Sequence, residues 1–324
     1  MKKYAFGVDI GGTTCKIGFF ETAGVLLDKW EILTNTANAG ATILSDVARA
    51  IEDKLVASSV EKEDVQGIGV GVPGAVTEYS TVHGCENLGW ETVEVARDLG
   101  QLTGLPVKAE NDANMAVLGE MWKGGAAGSK NVLLATLGTG VGAGIISDGR
   151  IVTGFAGGAG EIGHMVVDYN ETEQCSCGKY GCLEQYASAT GIVRLAKRRA
   201  AKLRRVRCAH GTEVVGAMYG AEDMSALTAK DIFDAAKTGD TDALAVVDEM
   251  SKILGIALAN VACALNPEVI VIGGGVSKAG DILIQHVQKY FEKHVFYACK
   301  DVKFTLAELG NDAGIWGCVQ LLLN

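Results

Sequence analysis

The first apolar strand of the chain ends in a carboxylate and a turn of glycines and threonines, Tyr4-Ala5-Phe6-Gly7-Val8-Asp9-Ile10-Gly11-Gly12-Thr13-Thr14. An acidic side chain followed by backbone amides and two hydroxyl groups suits a polyphosphate and its magnesium ion. A second strand over residues 15–21 follows the turn, whereas the P-loop and the dinucleotide fingerprint both open a helix. The stretch therefore predicts a phosphate-binding hairpin, with an ordinary hairpin turn as the alternative interpretation.

The same plan returns further along the chain. A strand over residues 132–136, the turn Leu137-Gly138-Thr139-Gly140 and a reversing strand over 141–147 repeat the order of the first hairpin. A third strand follows in each copy, over residues 25–32 in the first and 150–153 in the second. This repetition predicts a duplicated α/β fold with a ligand between its two halves.

Apolar spacing and turn residues predict the remaining elements and the domain boundaries. Ile43, Val47, Ile51 and Leu55 recur every four residues, as on the buried face of a helix. We expect a smaller domain over residues 1–115 with the C-terminal helix at about 311–324, and a larger domain over 116–310. The predicted elements are helices over residues 42–57, 254–265 and 313–323, strands over 68–72, 107–110 and 269–272, and a helix that begins at Asn111 or Asp112.

The composition favours a two-domain globular protein. The chain has 324 residues, of which 43 are glycine and 3 proline, and 48% are hydrophobic, which excludes disorder and collagen. With 39 acidic and 29 basic residues the formal charge is −10, which works against nucleic acid as a partner. The basic run over residues 194–207 contains no aromatic residue and is predicted to be a solvated helix face with its loop.

No segment has the pattern of a leader peptide or a membrane span. Met1-Lys2-Lys3 leads directly into the first strand instead of a long apolar stretch. The longest apolar run, residues 254–265, is shorter than the roughly 20 residues that a bilayer requires. We therefore expect a cytoplasmic protein without a membrane segment.

Three of the nine cysteines form a cluster with a histidine. Cys175, Cys177 and Cys182 have the spacing Cys-x-Cys-x₄-Cys, and His164 precedes them in Glu161-Ile162-Gly163-His164. Three thiolates and one imidazole make a closed tetrahedral zinc site with no open position for a reactant. The sequence therefore predicts a structural zinc, while the other six cysteines have no shared spacing and a disulfide framework is improbable.

Three carboxylates are candidates for chemistry on a substrate hydroxyl. Asp112 lies in Glu110-Asn111-Asp112-Ala113-Asn114, where either Asn111 or Asp112 could cap a helix, or Asp112 could accept a proton from a hydroxyl that attacks a γ-phosphoryl group. Glu161 and Glu184 flank the metal ligands without being needed by the metal. Held rigidly, they are suited to accept hydrogen bonds from sugar hydroxyls.

Three glycine-rich segments predict the walls of a nucleotide site. The turn of Gly11 and Gly12 and the turn from Gly138 to Gly142 could hold phosphates. Gly273-Gly274-Gly275 follows a predicted strand, and a purine ring could lie against it because no side chains intrude. Each segment is weak evidence by itself, but together they favour a nucleotide ligand.

Four of these segments resemble the signatures of ROK-family sugar kinases, particularly the bacterial glucokinases. They are Asp9-Ile10-Gly11-Gly12-Thr13, Glu110-Asn111-Asp112-Ala113-Asn114, Gly160-Glu161-Ile162-Gly163-His164-Met165 and residues 175–188. The resemblance extends from about residue 4 to about residue 320, and the cysteine segment is its most specific part. It implies a duplicated actin-like ATPase fold, related to ribonuclease H, with ATP and a sugar bound between two domains.

The resemblance also implies roles for individual residues. Asp112 would be the catalytic base in the transfer of a phosphoryl group from ATP to the 6-hydroxyl of a hexose, with glucose as the first expectation. The implied sugar-binding residues are Gly74, Asn111, Asp112, Glu161, His164 and Glu184. The implied nucleotide and magnesium residues are Asp9, Gly11, Gly12, Thr13, Thr14, Lys16, Gly138, Thr139, Gly140, Gly142, Gly273, Gly274 and Gly275. His164, Cys175, Cys177 and Cys182 would bind zinc.

Several alternatives stay open at the level of sequence. The hexose could be N-acetylglucosamine, N-acetylmannosamine, mannose or fructose, and polyphosphate could replace ATP as the donor. The resemblance suggests a dimer or a tetramer. A protein of another class, a non-catalytic sugar sensor or a mechanical actin-like ATPase, would not need Asp112, Glu161 and Glu184 together.

Overall fold

The computed structural model describes residues 2–210 and 224–323. The chain forms two compact units: the first comprises Met1–Leu134, Gly144–Gly160 and Glu308–Asn324, and the second comprises Ala135–Ala143 and Glu161–Ala307. The first unit therefore extends beyond the boundary expected after residue 115. The physical reason is the helix that follows that boundary, which packs on the C-terminal helix of the same unit, as described below.

Strands and helices alternate along the described part of the chain. In chain order the strands are β1 (Tyr4–Ile10), β2 (Thr14–Glu21), β3 (Val25–Leu33), β4 (Val65–Val72), β5 (Ala75–Thr77), β6 (Thr81–Cys85), β7 (Trp90–Glu94), β8 (Val107–Asn111), β9 (Val132–Leu137), β10 (Val141–Ser147), β11 (Arg150–Ile151), β12 (Val269–Gly273) and β13 (Lys303–Leu306). The helices are α1 (Ala37–Gly40), α2 (Ile43–Ser58), α3 (Val95–Thr103), α4 (Asp112–Lys123), α5 (Glu184–Ala187), α6 (Ala189–His210), α7 (Ala229–Lys237), α8 (Thr241–Leu265), α9 (Asp281–His294) and α10 (Ala313–Leu323). The predicted elements are all present, most of them with ends shifted by a few residues, but the helix predicted over 254–265 begins at Thr241, thirteen residues earlier.

Two five-stranded sheets have the same order of strands. The first sheet is β3-β2-β1-β4-β8 and the second is β11-β10-β9-β12-β13. In the first, β1–β3 are antiparallel neighbours and β4 lies parallel to β1 and β8. In the second, β10 and β11 are antiparallel and β12 and β13 are parallel. The duplication predicted from the two glycine hairpins is thereby confirmed, and so is the α/β class of the fold.

Helix α10 lies directly on the sheet of the first unit. A Cβ atom added at Gly7 of β1 would come 2.2 Å from the carbonyl oxygen of Ile315, and one at Gly69 of β4 would come 1.8 Å from that of Cys318. Only glycine permits this close approach of strand and helix backbones. Phe20, Ile315 and Val319 are fully buried in the resulting contact. The C-terminal segment therefore completes the core of the first unit.

Helix α4 packs against α10 in the same way. A Cβ atom at Gly119 would come 2.2 Å from the carbonyl oxygen of Ala313, and one at Gly317 would come 1.7 Å from that of Met115. Glycine at these two positions, one on each helix, allows the backbones of α4 and α10 to approach closely. The two helices form one layer on the sheet. This packing keeps residues 116–123 in the first unit.

The carboxylate of Glu120 on α4 is fully buried and holds the chain where it returns to the first unit. Its two oxygens accept hydrogen bonds from the backbone amides of Gly125, Glu308 and Leu309 at 2.8–3.0 Å. Glu308 is the first residue after the second unit. Three amide donors compensate for the loss of water around this charge. Glu120 therefore fixes the return segment to the helix that begins at Asp112.

The second unit is mainly helical around β12 and β13. Helix α8 ends at Leu265, where Asn266 adopts a left-handed conformation and Pro267 follows, as the sequence predicted. Its Gly255 packs against α9, since a Cβ atom there would come 2.6 Å from the carbonyl oxygen of Val287. Within the described ranges, no helix combines the length and the apolar character needed to cross a bilayer.

Candidate functional site

Asp9 lies near the end of β1, paired across the hairpin with Lys16 on β2. Burial and then the charge of Asp112 raise the pKa of Asp9 to about 6, against the opposing effect of Lys16. The Lys16 ammonium donates to the Asn311 carbonyl at 2.6 Å and to Asp312 at 3.1 Å. Lys16 is therefore shared with another carboxylate, and a divalent cation beside Asp9 would supply the positive charge that this corner lacks.

The turn after β1 is closed by its own backbone. The Gly11 amide donates to the Thr14 carbonyl at 3.0 Å, and the hydroxyl of Thr34 donates to the Gly11 carbonyl at 2.7 Å. Gly12 and Thr13, at the tip, are exposed. The predicted phosphate turn is thus a fixed loop that presents an amide and a hydroxyl to solvent.

Asn111 caps helix α4 and leaves Asp112 as its first residue. The Asn111 side-chain oxygen accepts from the amides of Ala113 at 2.9 Å and Asn114 at 3.3 Å, and its amide nitrogen donates to the Gly74 carbonyl at 3.0 Å. Asp112 is exposed. Asn111 is therefore the N-cap, and the exposed Asp112 also accepts from the Ala113 amide through Oδ1 at 2.8 Å.

A second buried carboxylate supports this helix end. Glu110 is 1% exposed, and its Oε1 atom accepts from the Asn111 amide at 2.8 Å and from the Asn114 side chain at 3.1 Å. Burial raises the pKa of Glu110, and these two hydrogen bonds partly offset the shift. This supporting role of Glu110 was not predicted from the sequence, where the residue is only part of the motif around Asp112.

The predicted metal ligands come together in the second unit. The ligand atoms of His164, Cys175, Cys177 and Cys182 all lie within 4.8 Å of one another. The Cys177 and Cys182 sulfurs are 3.6 Å apart, and Cys175 Sγ is 3.9 Å from His164 Nδ1. Zinc–sulfur bonds of about 2.3 Å in a tetrahedron place two sulfurs about 3.8 Å apart. The four residues therefore fit a closed zinc site.

The raised pKa of a thiol in this cluster also indicates that the cluster suits a cation. Burial, followed by hydrogen bonds to the other two thiols, raises the pKa of Cys182 to about 12. A thiolate among three sulfurs is unfavourable unless a positive charge compensates for it. A bound zinc ion would supply that charge and would leave the second ring nitrogen of His164 for another partner.

Glu184, the first residue of α5, contacts the metal cluster directly. Its Oε1 atom accepts from Cys175 Sγ at 3.0 Å and from the Ser176 hydroxyl at 3.1 Å, and its side chain is 18% exposed. Glu161 is exposed and precedes the short 3₁₀ helix Ile162–His164, which carries the histidine ligand. Both carboxylates are therefore positioned by the elements that carry the metal ligands.

The second glycine turn is joined to the start of α6. The Ala189 amide donates to the Gly138 carbonyl at 2.8 Å, and the Thr190 hydroxyl donates to the Thr139 carbonyl at 2.7 Å. A Cβ atom at Gly140 would come 2.8 Å from Glu184 Oε2, so a larger residue there would displace the Glu184 carboxylate. Gly142 lies within β10 and not in the turn itself.

The triple glycine lies against the end of β9. Gly274 has a φ of 80°, and a Cβ atom there would come 2.5 Å from the Leu137 carbonyl oxygen. Gly273 ends β12, and Gly275 borders a cavity of about 270 Å³ together with Ala229 and Phe233. A larger cavity of about 1110 Å³ is bordered by Thr139, Gly140, Ser176, Glu184 and residues of α6. The smaller cavity, beside Gly275, has the mostly apolar walls that a flat base requires.

An ionic cluster beside the metal loop was not predicted. The Glu171 side chain is 2% exposed and pairs with Arg194 and Arg198, which also reach Glu173. The prediction of a solvated basic face is therefore wrong for Arg194, whose side chain is only 15% exposed, whereas Arg198 is 43% exposed although it pairs with Glu171. The side chains of the last predicted members of the run, residues 204–207, lie outside the described residues. Pairs separated by more than 20 residues leave no local signal in a sequence.

Each unit thus gathers its own set of predicted residues. The first unit holds Asp9, the turn of Gly11–Thr14, Lys16, Gly74, Asn111 and Asp112. The second holds the metal ligands, Glu161, Glu184, the turn of Gly138–Gly140, Gly142 and the triple glycine.

Two sheets of equal strand order, a phosphate-type hairpin at the start of each and a Cys₃His cluster define the class, a duplicated actin-like ATPase fold with a metal loop. The chain belongs to the ROK family, whose model matches residues 5–324.

Relatives match over nearly the whole chain. A glucokinase of Halalkalibacterium halodurans is 46% identical over 317 residues, which is 97% of this chain and 93% of the relative. A glucokinase of Thermotoga maritima is 34% identical over 98% of this chain and 96% of its own length. The crystal structure of a ROK family glucokinase from Streptomyces griseus, in complex with glucose and AMPPNP, has a TM-score of 0.75 and 31% identity, and 98% of each chain is covered. The resemblance stated from the sequence is thereby confirmed.

Proposed function

We propose that this protein is an ATP-dependent glucokinase that transfers the γ-phosphoryl group of ATP to the 6-hydroxyl of glucose. The observation that carries the proposal is the position of Asp112, which is exposed at the first position of α4 and close enough to Asp9 for its charge to raise the pKa of that carboxyl group. Relatives with the name glucokinase, at 46% and 34% identity, support glucose as the sugar. The Streptomyces griseus structure, which holds AMPPNP, supports ATP as the donor.

In the proposed reaction, the Asp112 carboxylate accepts the proton of the sugar 6-hydroxyl. The hydroxyl oxygen then attacks the γ-phosphorus, and the bond to the bridging oxygen breaks, so that ADP leaves with the electron pair. A magnesium ion bound with ATP would neutralise phosphate charge, and Asp9 with the turn of Gly11–Thr14 would hold it. Catalysis is then mainly a matter of position and charge.

Several of the predicted residues carry groups that suit the hydroxyls of a sugar. The proposed partners of its hydroxyls are Glu161, Glu184 and the His164 ring nitrogen that does not face the thiols, together with Asn111 and the segment at Gly74. Asn111 already uses its oxygen for the helix cap and one amide proton for the Gly74 carbonyl, so one amide proton is left for a ligand. Zinc in the Cys₃His cluster would have a structural role, since all four positions are taken by protein.

The glycine segments of the second unit are the proposed contacts of the nucleotide. Gly138, Thr139, Gly140 and Gly142 would face the phosphates, and Gly273–Gly275 would border the base. The small cavity beside Gly275 supports this assignment because its walls are mostly apolar. We also propose a cytoplasmic location, since a Cys₃His zinc site needs reduced thiols.

A coupled assay of ADP release tests the proposed function. The reaction contains ATP and Mg²⁺ with glucose, N-acetylglucosamine, N-acetylmannosamine, mannose or fructose, and a blank contains no sugar. We expect rapid release with glucose and little in the blank. Release with another hexose alone would change the substrate and keep the mechanism. ADP release that does not depend on sugar, or no release with any of the sugars, would contradict the kinase. The first result would favour a mechanical ATPase and the second a sensor.

A further inference from the structure

Beyond the ligands of zinc and sugar, the second unit contains an ionic cluster with no assigned task. We propose that Arg194 and Arg198 are positioning residues that couple the metal loop to the phosphate turn through helix α6. The proposal rests on the proposed function for the identity of the ligands, but its contacts all lie within the second unit.

The first step is the anchorage of the metal loop on α6. Glu171 lies between the metal ligands His164 and Cys175, and its carboxylate accepts from Arg198 at 2.7 and 2.8 Å, and also from Arg194. The hydrogen bond from Arg198 is the largest cause that holds the pKa of Glu171 well below its usual range. A buried carboxylate that is held by two guanidinium groups cannot move without leaving charges unpaired.

The second step joins this anchorage to the candidate sugar residue. Arg194 donates to Glu173 at 2.8 Å and to the carbonyl oxygen of Gln185 at 2.9 Å. Gln185 follows Glu184 directly on the short helix α5. One guanidinium group therefore touches the metal loop on one side and the backbone beside Glu184 on the other.

The third step is the contact between the first residues of α6 and the phosphate turn. Thr190 and Ala189, one turn before Arg194, donate to the carbonyls of Thr139 and Gly138 in the phosphate turn at 2.7 and 2.8 Å. The four helical steps from Thr190 to Arg194 cover about 6 Å of rigid helix. A shift of the metal loop is therefore carried to the phosphate turn by a single element.

The cavity of about 1110 Å³ is bordered by residues of α6 together with candidate residues for both ligands. Its walls include Thr139 and Gly140 of the turn, Ser176 and Glu184 beside the metal cluster, and Arg194 and Arg198 of α6. Coupling between two ligands is a free energy that acts equally in both directions. We therefore expect the sugar to tighten nucleotide binding, and the arginines to carry part of this effect.

The chain offers a matched control on the same helix. Arg199 follows Arg198 but pairs with Asp242 on α8 at 2.9 Å, away from the metal loop. Arg194→Lys, Arg198→Lys and Arg199→Lys each keep one positive charge and remove the forked guanidinium. A role limited to stability would affect all three variants alike.

The test is calorimetric binding of AMPPNP with Mg²⁺, without sugar and with saturating glucose or whichever hexose supports ADP release. In the unaltered protein we expect the sugar to lower the AMPPNP Kd by about 5- to 100-fold. In Arg194→Lys this factor should fall at least threefold, while each ligand alone binds within about twofold. Arg198→Lys should lose the same part of this factor, and it replaces Arg194→Lys in the test if that variant does not fold. Arg199→Lys should keep the full factor.

A second measurement does not depend on the sugar. Removal of zinc should raise the AMPPNP Kd more in the unaltered protein than in Arg194→Lys. In the variant, the link between the metal loop and the phosphate turn is already weakened. No coupling in the unaltered protein, or an equal loss in Arg199→Lys, would overturn the proposal. If no hexose supports ADP release, the proposed function fails, and the zinc measurement still decides the inference.

Discussion

The helix end at Asp112 and the loop before Glu184 position their functional carboxylates by different means. Asp112 follows directly on a strand of a five-stranded sheet, and backbone geometry with one side-chain cap fixes its place. Residues 165–183 contain only the isolated bridges Val166↔Cys182 and Gln174↔Tyr180. Thiols, arginines and a metal must hold that loop. Changes at the helix end should therefore reduce catalysis with little loss of stability, whereas changes in the loop should reduce both stability and sugar affinity.

The largest effect is expected from Asp112→Asn. The amide cannot accept the sugar proton, so kcat should fall roughly 100- to 10,000-fold. Asp112 Oδ1 accepts from the Ala113 amide at 2.8 Å, and the side-chain oxygen of Asn can accept the same bond, so Tm and the glucose Kd should change little. Asp53→Asn, an exposed carboxylate on α2, is the control and should be fully active. A kcat within tenfold of the unaltered protein would show that Asp112 is not the base.

Zinc removal should show the opposite pattern in the loop. Purified protein is expected to contain one zinc per chain, and chelation or Cys182→Ser should lower the free energy of unfolding by at least about 2–4 kcal/mol and weaken sugar binding. Cys263→Ser changes an exposed thiol on α8 and serves as the control. Elemental analysis that finds no zinc in protein purified without a chelator would rule out the metal site.

Glu120→Gln tests whether the helix that carries Asp112 needs a side-chain anchor as well. The amide group can no longer accept from the amides of Gly125, Glu308 and Leu309 together, so we expect a loss of about 2–3 kcal/mol in the free energy of unfolding. Urea denaturation measures it, with the exposed Glu52→Gln as the control. An unchanged midpoint would mean that the return segment is held by other contacts.

Asp9→Asn should give the smallest change, and one of opposite sign. The pKa of Asp9 is raised from 3.8 to about 6, so the folded chain binds a proton more tightly than the unfolded chain between these values. Stability without magnesium then falls as pH rises from about 4 to 6, and the penalty is complete above pH 7. A shift of about two units corresponds to at most about 3 kcal/mol. Because Asp9 is half-buried and water screens part of this penalty, the variant should gain about 1–2 kcal/mol at pH 8 and nothing at pH 4. Thermal melts at both pH values measure this, and a gain at pH 4 would contradict it.

What the sequence predicted was encoded locally. The hairpin at Gly11–Thr14, the capped helix after Asn111 and the Cys₃His cluster each occupy a short segment whose residues meet because they are neighbours in the chain. The partner of Lys16 is Asp312, at the other end of the sequence, and that of Arg194 is Glu171 across a loop. Only packing creates such pairs. The small sheet β5-β6-β7 was also missed, since strands of three to five residues carry little periodicity.

The place of α10 in the first unit has a consequence for synthesis on the ribosome. The sheet that contains Gly7 and Gly69 emerges early, but the helix that covers it is made last, after the whole second unit. At about 5–20 residues per second, that apolar face would wait roughly 10–40 s for its cover. The inserted unit can therefore finish folding before the unit into which it is inserted, and a nascent chain that stops short of Ala313 would expose the face of β1 and β4 to chaperones.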